Sequence, residues 1–169
     1  QTKSLLIKNG SLVSSSGIIK SDVFILNGKI AKIAQCLSDQ ADRVIDAEGK
    51  HVFPGLIDPQ VHFRDPGLTH KEDLKTGAMA AVAGGITTFF EMPNTNPSTT
   101  TLEKLAEKYE VASKKSVANH SFFLGATNDN LNEIKKLDGS CGLKIFMGSS
   151  TGDLLVDDDE ILDKIFSCY

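Results

Sequence analysis

Cysteine is scarce in this chain: three in 169 residues, Cys36, Cys141 and Cys168, at unrelated spacings. An odd count without a paired pattern excludes a disulfide framework and favours a reduced, cytoplasmic setting. A basic excess is also missing, since Lys+Arg total 18 against Asp+Glu 22, for a net charge of −4. With no Arg-rich run either, nucleic acid and anionic membrane are poor partners. No apolar run approaches the roughly 20 residues of a membrane span, and no signal-peptide pattern opens the chain. No Gly-x-Gly-x-x-Gly follows the first candidate α/β strand, which weighs against a complete flavodoxin-like binding domain. What remains is an ordinary globular composition, 40% hydrophobic and 24% charged, enough for one domain or one domain with a small appendage.

The first part of the chain reads as β. Residues 3–7 suggest a short strand ending at Asn9-Gly10, and Val23 to Leu26 and Lys29 to Ile33 flank Asn27-Gly28. Asn-Gly between β-rich runs favours a two-residue hairpin, because both central residues need positive φ. Val44-Ile45, the turn Glu48-Gly49 and His51-Val52-Phe53 complete the stretch. Residues 1–54 are thus expected to form a small antiparallel β unit, sandwich-like and incomplete, that needs a further layer to pack on.

From Gly55 the rhythm changes to β/α. An apolar strand runs from Gly55-Leu56-Ile57 through His62-Phe63. Thr69-His70-Lys71-Glu72 has capping-box spacing. Leu74, Ala78, Ala81 and Val82 then share a helical face, stopped by Gly84-Gly85. A strand from Ile86 to Met92 precedes a helix with Thr100 and Glu103 at its start, a stripe of Leu102, Leu105, Ala106, Tyr109 and Ala112, and Lys114-Lys115 at its end. Residues 117–124 and Leu143 to Met147 read as further strands, with short helices around Leu131, Ile134 and Leu137 and over Ile161, Leu162, Ile165 and Phe166. Four successive β/α units over residues 55–169 predict a parallel sheet with helices outside it. The acidic run 157–160 reads as a helix start complementing the dipole rather than a cation site.

Chemistry in such folds gathers where strands end. After the first strand, Asp58, Gln60, His62 and Arg64 alternate and are expected on one face, a polar row among Leu56, Ile57, Val61 and Phe63. After the second stands Glu91-Met92-Pro93-Asn94-Thr95-Asn96-Pro97, which alone reads as a turn. In the fourth strand Lys144 sits among Leu143, Ile145, Phe146 and Met147. A buried ammonium must pair, deprotonate or be modified, and a neutral amine can capture carbon dioxide as a carbamate. A snorkelling or ion-paired lysine remains the alternative. Ser149-Ser150-Thr151-Gly152 is only loosely like a phosphate loop. His120 is expected in the core or hydrogen-bonded, and His70 at a helix start.

Taken in order, three blocks resemble the amidohydrolase superfamily and, within it, the dihydroorotases: Gly55-Leu56-Ile57-Asp58 with Val61-His62-Phe63-Arg64-Asp65-Pro66-Gly67; Ala83-Gly84-Gly85-Ile86-Thr87-Thr88 with Met92-Pro93-Asn94-Thr95; and Gly142-Leu143-Lys144-Ile145-Phe146-Met147-Gly148. The resemblance implies the N-terminal portion of a (β/α)8 TIM barrel and metal-dependent interconversion of dihydroorotate and N-carbamoyl-L-aspartate in pyrimidine biosynthesis. It also implies one or two divalent metals, usually zinc. Carried over by position, His62 is a metal ligand, Lys144 a carbamylated metal bridge, and Arg64 and Asn94 bind the substrate carboxylate. Arg64 favours dihydroorotase over dihydropyrimidinase-, hydantoinase- or allantoinase-like relatives, whose rings lack that carboxylate. The expected partners are the small-molecule substrate and further copies of the chain.

Two departures accompany the resemblance. Gln60 stands where the family's Asp-x-His-x-His-x-Arg pattern has its first histidine, and an amide oxygen is a weaker zinc ligand than imidazole. This keeps open a non-catalytic homologue that serves assembly. A (β/α)8 barrel also needs about 250 residues. The later histidine ligands and the general base are therefore expected beyond Tyr169, and this chain is expected to be inactive alone.

Overall fold

The computed structural model describes residues 3–148 and 153–168. Ser149-Ser150-Thr151-Gly152 lies outside the described residues. The chain divides into two compact units, Gln1–Pro54 and Gly55–Tyr169. No helix among the described residues is long and apolar enough to cross a membrane.

The first unit is a sheet of β1 (Ser4–Ser14), β2 (Gly17–Leu26), β3 (Lys29–Ala34), β4 (Arg43–Asp46) and β5 (His51–Val52). The order is β3-β2-β1-β4, with β5 also against β1. Asn27 and Gly28 make the expected β2–β3 turn, with φ of 52° and 77°. Asn9-Gly10 does something else. Asn9 has φ 63°, but β1 continues through it with a register shift between Ile7 and Gly10. The left-handed residue that suits a turn serves a bulge as well. Asp22 and Asp46 hold that bulge, accepting from Asn9 N and Nδ2 at 2.8 and 2.9 Å. The meander β1–β2–β3 is antiparallel, while β4 and β5 run parallel to β1, so the sheet is mixed.

The second unit carries four parallel strands in chain order, β6 (Leu56–Val61), β7 (Ile86–Glu91), β8 (Asn119–Gly125) and β9 (Gly142–Lys144). Helices α1 (Leu74–Ala83), α2 (Leu102–Lys115), α3 (Leu131–Ile134) and α4 (Asp159–Phe166) follow them in turn. Sequential parallel neighbours, each followed by a helix, are the pattern of half a (β/α)8 barrel. Alternation along the strands sorts the side chains. Phe89, Phe122 and Leu124 are buried against α1 and α2 or α3 and α4, whereas Phe90 and Phe123 meet edge to face, centroids 6.4 Å apart, on the other side of the sheet.

The helix starts differ from expectation by one or more residues. Asp73, not Thr69, caps α1, its carboxylate accepting from Lys75 N and Thr76 N at 2.8 Å each. Val82, expected inward, is exposed, and Leu74 and Ala78 carry the buried face. Thr101 rather than Thr100 caps α2, accepting from Lys104 N at 3.3 Å. At α2 two threonines stand side by side and packing chooses between them, whereas at α1 the helix begins a full turn later, with Asp73 as its cap. The acidic run does start α4: Asp158 accepts from Ile161 N at 3.0 Å. His120 is hydrogen-bonded to Ala118 O at 3.1 Å and packs near Phe89, Tyr109 and Phe122. His70 lies in an exposed turn before α1.

Candidate active site

The expected single polar face along residues 58–64 does not form by alternation. Asp58 pairs with Phe89 and Val61 with Glu91, so β6 holds one residue more than β7 between those points. The bulge reverses the facing of the later residues of the strand. Asp58 turns back to accept from Gln60 N at 3.0 Å, and Gln60 is exposed.

Two loops nevertheless gather three of the candidate residues. Arg64 enters the turn after β6 with φ 66°, and its Nη1 donates to Asn94 O at 3.0 Å. His62 Nδ1 lies 2.9 Å from Asn94 Oδ1. Because the amide oxygen accepts, Nδ1 is the donor, and Nε2 takes no part in this contact. The loops interlock further through Met92 N to Val61 O at 3.0 Å and Asn96 N to Pro66 O at 3.1 Å. Gly67, with φ +84°, lies so close to Asn96 that a Cβ there would meet the Asn96 carbonyl oxygen at 1.8 Å. Only glycine allows that approach.

Lys144 is not drawn into this group. It ends β9 half-buried, facing away from the helix-side cluster that Leu143 joins. Its ammonium stands 4.9 Å from the Phe146 ring centroid. Among the described residues no carboxylate pairs with it. A cation–π contact and partial exposure replace the costly apolar burial its strand suggested.

Beneath the loops lies an ion pair that the strand and helix patterns alone did not single out. Glu91, the last residue of β7, and Lys108 of α2 are both buried, with Oε2 and Nζ 3.1 Å apart. Burial pushes the Glu91 carboxyl up and the Lys108 ammonium down, each opposed by the other's charge. Glu91 Oε1 accepts from Arg64 N at 3.0 Å, while Oε2 has no aligned hydrogen bond. Lys108 Nζ also donates to Met92 O at 3.3 Å. A sequence signal for the pair does exist. Glu91 shares the inward phase of Phe89, and Lys108 sits in the stripe of Leu105 and Ala112, so opposite charges occupy two facing apolar patterns.

A cavity of about 1030 Å³ opens beside the loops. Arg64 and Asn94 line it together with Lys71, Lys104, Asp129 and Asp153, but His62 and Lys144 do not. Its walls come from the segments after β6, β7, β8 and β9, where a β/α fold places its ligands.

As for a metal, His62 fits as one ligand, since its second ring nitrogen is already held by a carbonyl oxygen. The other donors do not close a site: among the described residues no group of three or more His, Cys, Asp or Glu stands together.

Comparison with known proteins agrees with this architecture. The family described as "Amidohydrolase family" matches residues 51–151. An allantoinase of Desulfitobacterium hafniense (strain Y51) is 41% identical over 140 residues, covering 82% of this chain and 31% of that protein. A dihydroorotase of Methanosarcina acetivorans is 39% identical over 156 residues, covering 90% of this chain and 33% of that protein. The solved L-hydantoinase (dihydropyrimidinase) of Arthrobacter aurescens superposes with a TM-score of 0.91 at 38% identity, over 96% of this chain and 37% of that one. The chain thus spans about a third of the length of the curated relatives it matches.

Proposed function

This chain belongs to the amidohydrolase family, and on that premise we propose that it supplies the substrate-anchoring part of a cyclic amidohydrolase of the dihydroorotase type. The observation that carries the reading is the meeting of Arg64, Asn94 and His62 across two interlocked loops. One guanidinium nitrogen is spent on the Asn94 carbonyl. The remaining donors keep the planar fork that matches two carboxylate oxygens. Dihydroorotate bears a carboxylate on its ring, and allantoin and hydantoin do not.

The chain's own residues then have separate tasks. Arg64 and the Asn94 amide hold the substrate carboxylate and so fix the ring relative to His62. His62, oriented through Nδ1, would hold a metal through Nε2, and Lys144, as a carbamate, would be a second ligand. A divalent metal, when bound, supplies Lewis-acid polarisation of the ring carbonyl.

A second reading, a cyclic amidohydrolase acting on a ring without a carboxylate, is favoured by the allantoinase and L-hydantoinase relatives, which are as similar as the dihydroorotase. Replacing Arg64 by methionine in the whole protein separates the two. Loss of carboxylate anchoring raises KM for dihydroorotate by about a hundredfold. An unchanged KM rejects the dihydroorotase reading.

A further inference from the structure

The Glu91–Lys108 pair has no part in the reaction described, yet it touches each loop that carries a substrate-binding residue. Glu91 Oε1 takes the Arg64 backbone N–H at 3.0 Å, at a residue whose φ of 66° is unusual for a side chain of that size. Lys108 Nζ takes the Met92 carbonyl at 3.3 Å and approaches Thr99 Oγ1 at 3.5 Å, near the two ends of the loop that presents Asn94. The ammonium also lies 5.2 Å from the Phe122 ring centroid, which closes the remaining side.

For stability alone such a pair is a poor choice, because well-packed apolar residues of similar volume serve as well or better. An apolar pair cannot, however, accept from Arg64 N or donate to Met92 O. We propose that Glu91 is a positioning residue: its Oε1 fixes the left-handed turn at Arg64, and thereby the aim of the guanidinium at a carboxylate-bearing substrate, while Lys108 balances its buried charge. This rests on the reading of Arg64 and Asn94 given above.

The test uses the whole protein, with dihydroorotate kinetics and thermal melting. Glu91→Asp keeps the charge but withdraws the acceptor from Arg64 N; KM rises about tenfold with kcat within about twofold. Glu91→Gln/Lys108→Met removes both charges but keeps a carbonyl acceptor at Oε1; KM stays within about threefold of the parent whatever happens to Tm. A merely structural pair would lower Tm without sorting KM by the presence of the acceptor. Arg64→Met is run in parallel. If it raises KM and Glu91→Asp does not, the positioning role is overturned while the substrate reading stands. If Arg64→Met leaves KM unchanged, both fall. Should Glu91→Asp fail to fold, the double variant decides alone, and a KM raised as far as that of Arg64→Met overturns the proposal.

Discussion

The Arg64 guanidinium donates to the backbone carbonyl of Asn94 at 3.0 Å, while the side chain of the same asparagine meets His62 at 2.9 Å. One residue therefore joins the arginine and the histidine through two different groups, and a substitution can remove one link without the other.

Asn94→Ala deletes the amide but leaves the carbonyl that orients Arg64. The expected outcome is a KM for dihydroorotate raised about tenfold, with Tm little changed, because the deleted group is half-buried and its partner His62 is exposed. Steady-state kinetics beside a thermal melt checks it. A collapse of Tm would show the contact to be structural.

Lys108→Met strands a buried carboxylate at Glu91. Breaking a buried pair in this way costs about 3–5 kcal/mol, whereas removing both charges in Glu91→Gln/Lys108→Met recovers most of it. Denaturant titration of the three proteins measures the difference. Equal destabilisation by the single and double variants would contradict the pairing.

Gly77 lies mid-helix in α1, where alanine is ordinarily better by about 1 kcal/mol. Here an added Cβ would meet the Phe63 ring at 2.7–2.8 Å. That ring is packed edge-on against buried Phe89, centroids 4.8 Å apart, so it has little room to withdraw. Overpacking costs about 1–3 kcal/mol, and Gly77→Ala is expected to lower Tm. A rise in Tm would mean that Phe63 yields.

Much of this arrangement is legible in the chain. The β/α rhythm after Gly55, the Asn27-Gly28 hairpin and the strand-end positions of His62, Arg64 and Asn94 all come from period and turn chemistry, whereas the strand expected over Leu143 to Met147 ends at Lys144. The rest is not, for identifiable reasons. Asn9-Gly10 looks like a turn because a bulge asks for the same left-handed residue. The polar row at residues 58–64 breaks because one extra residue in β6 shifts its phase, and bulges leave no fixed sequence mark. Arg64 and His62 meet Asn94 through loop interlocking that depends on the Gly67–Asn96 approach, a contact between segments far apart in the chain. Lys144 has an apolar strand around it in sequence, yet its aromatic neighbour Phe146 and partial exposure ease its charge.

Asp73 offers a pH test of the α1 cap. Its carboxyl is held below the ordinary value, chiefly by the Thr76 backbone N–H it accepts. A depressed acid contributes stability above its unfolded value, about 3.9, and loses it as pH falls through the lower folded value. Asp73→Ala is therefore expected to melt below the parent at pH 7 and to converge with it at strongly acidic pH. A gap that persists or widens in acid would show that the cap acts without its charge.

Substrate preference of the whole protein tests the carboxylate-anchoring claim most directly. Dihydroorotate, allantoin and hydantoin are compared by kcat/KM in the parent and in Arg64→Met. The expected result is a preference for dihydroorotate of at least about a hundredfold in the parent that Arg64→Met abolishes. Equal or better turnover of allantoin or hydantoin by the parent, or a preference untouched by the loss of Arg64, would contradict it.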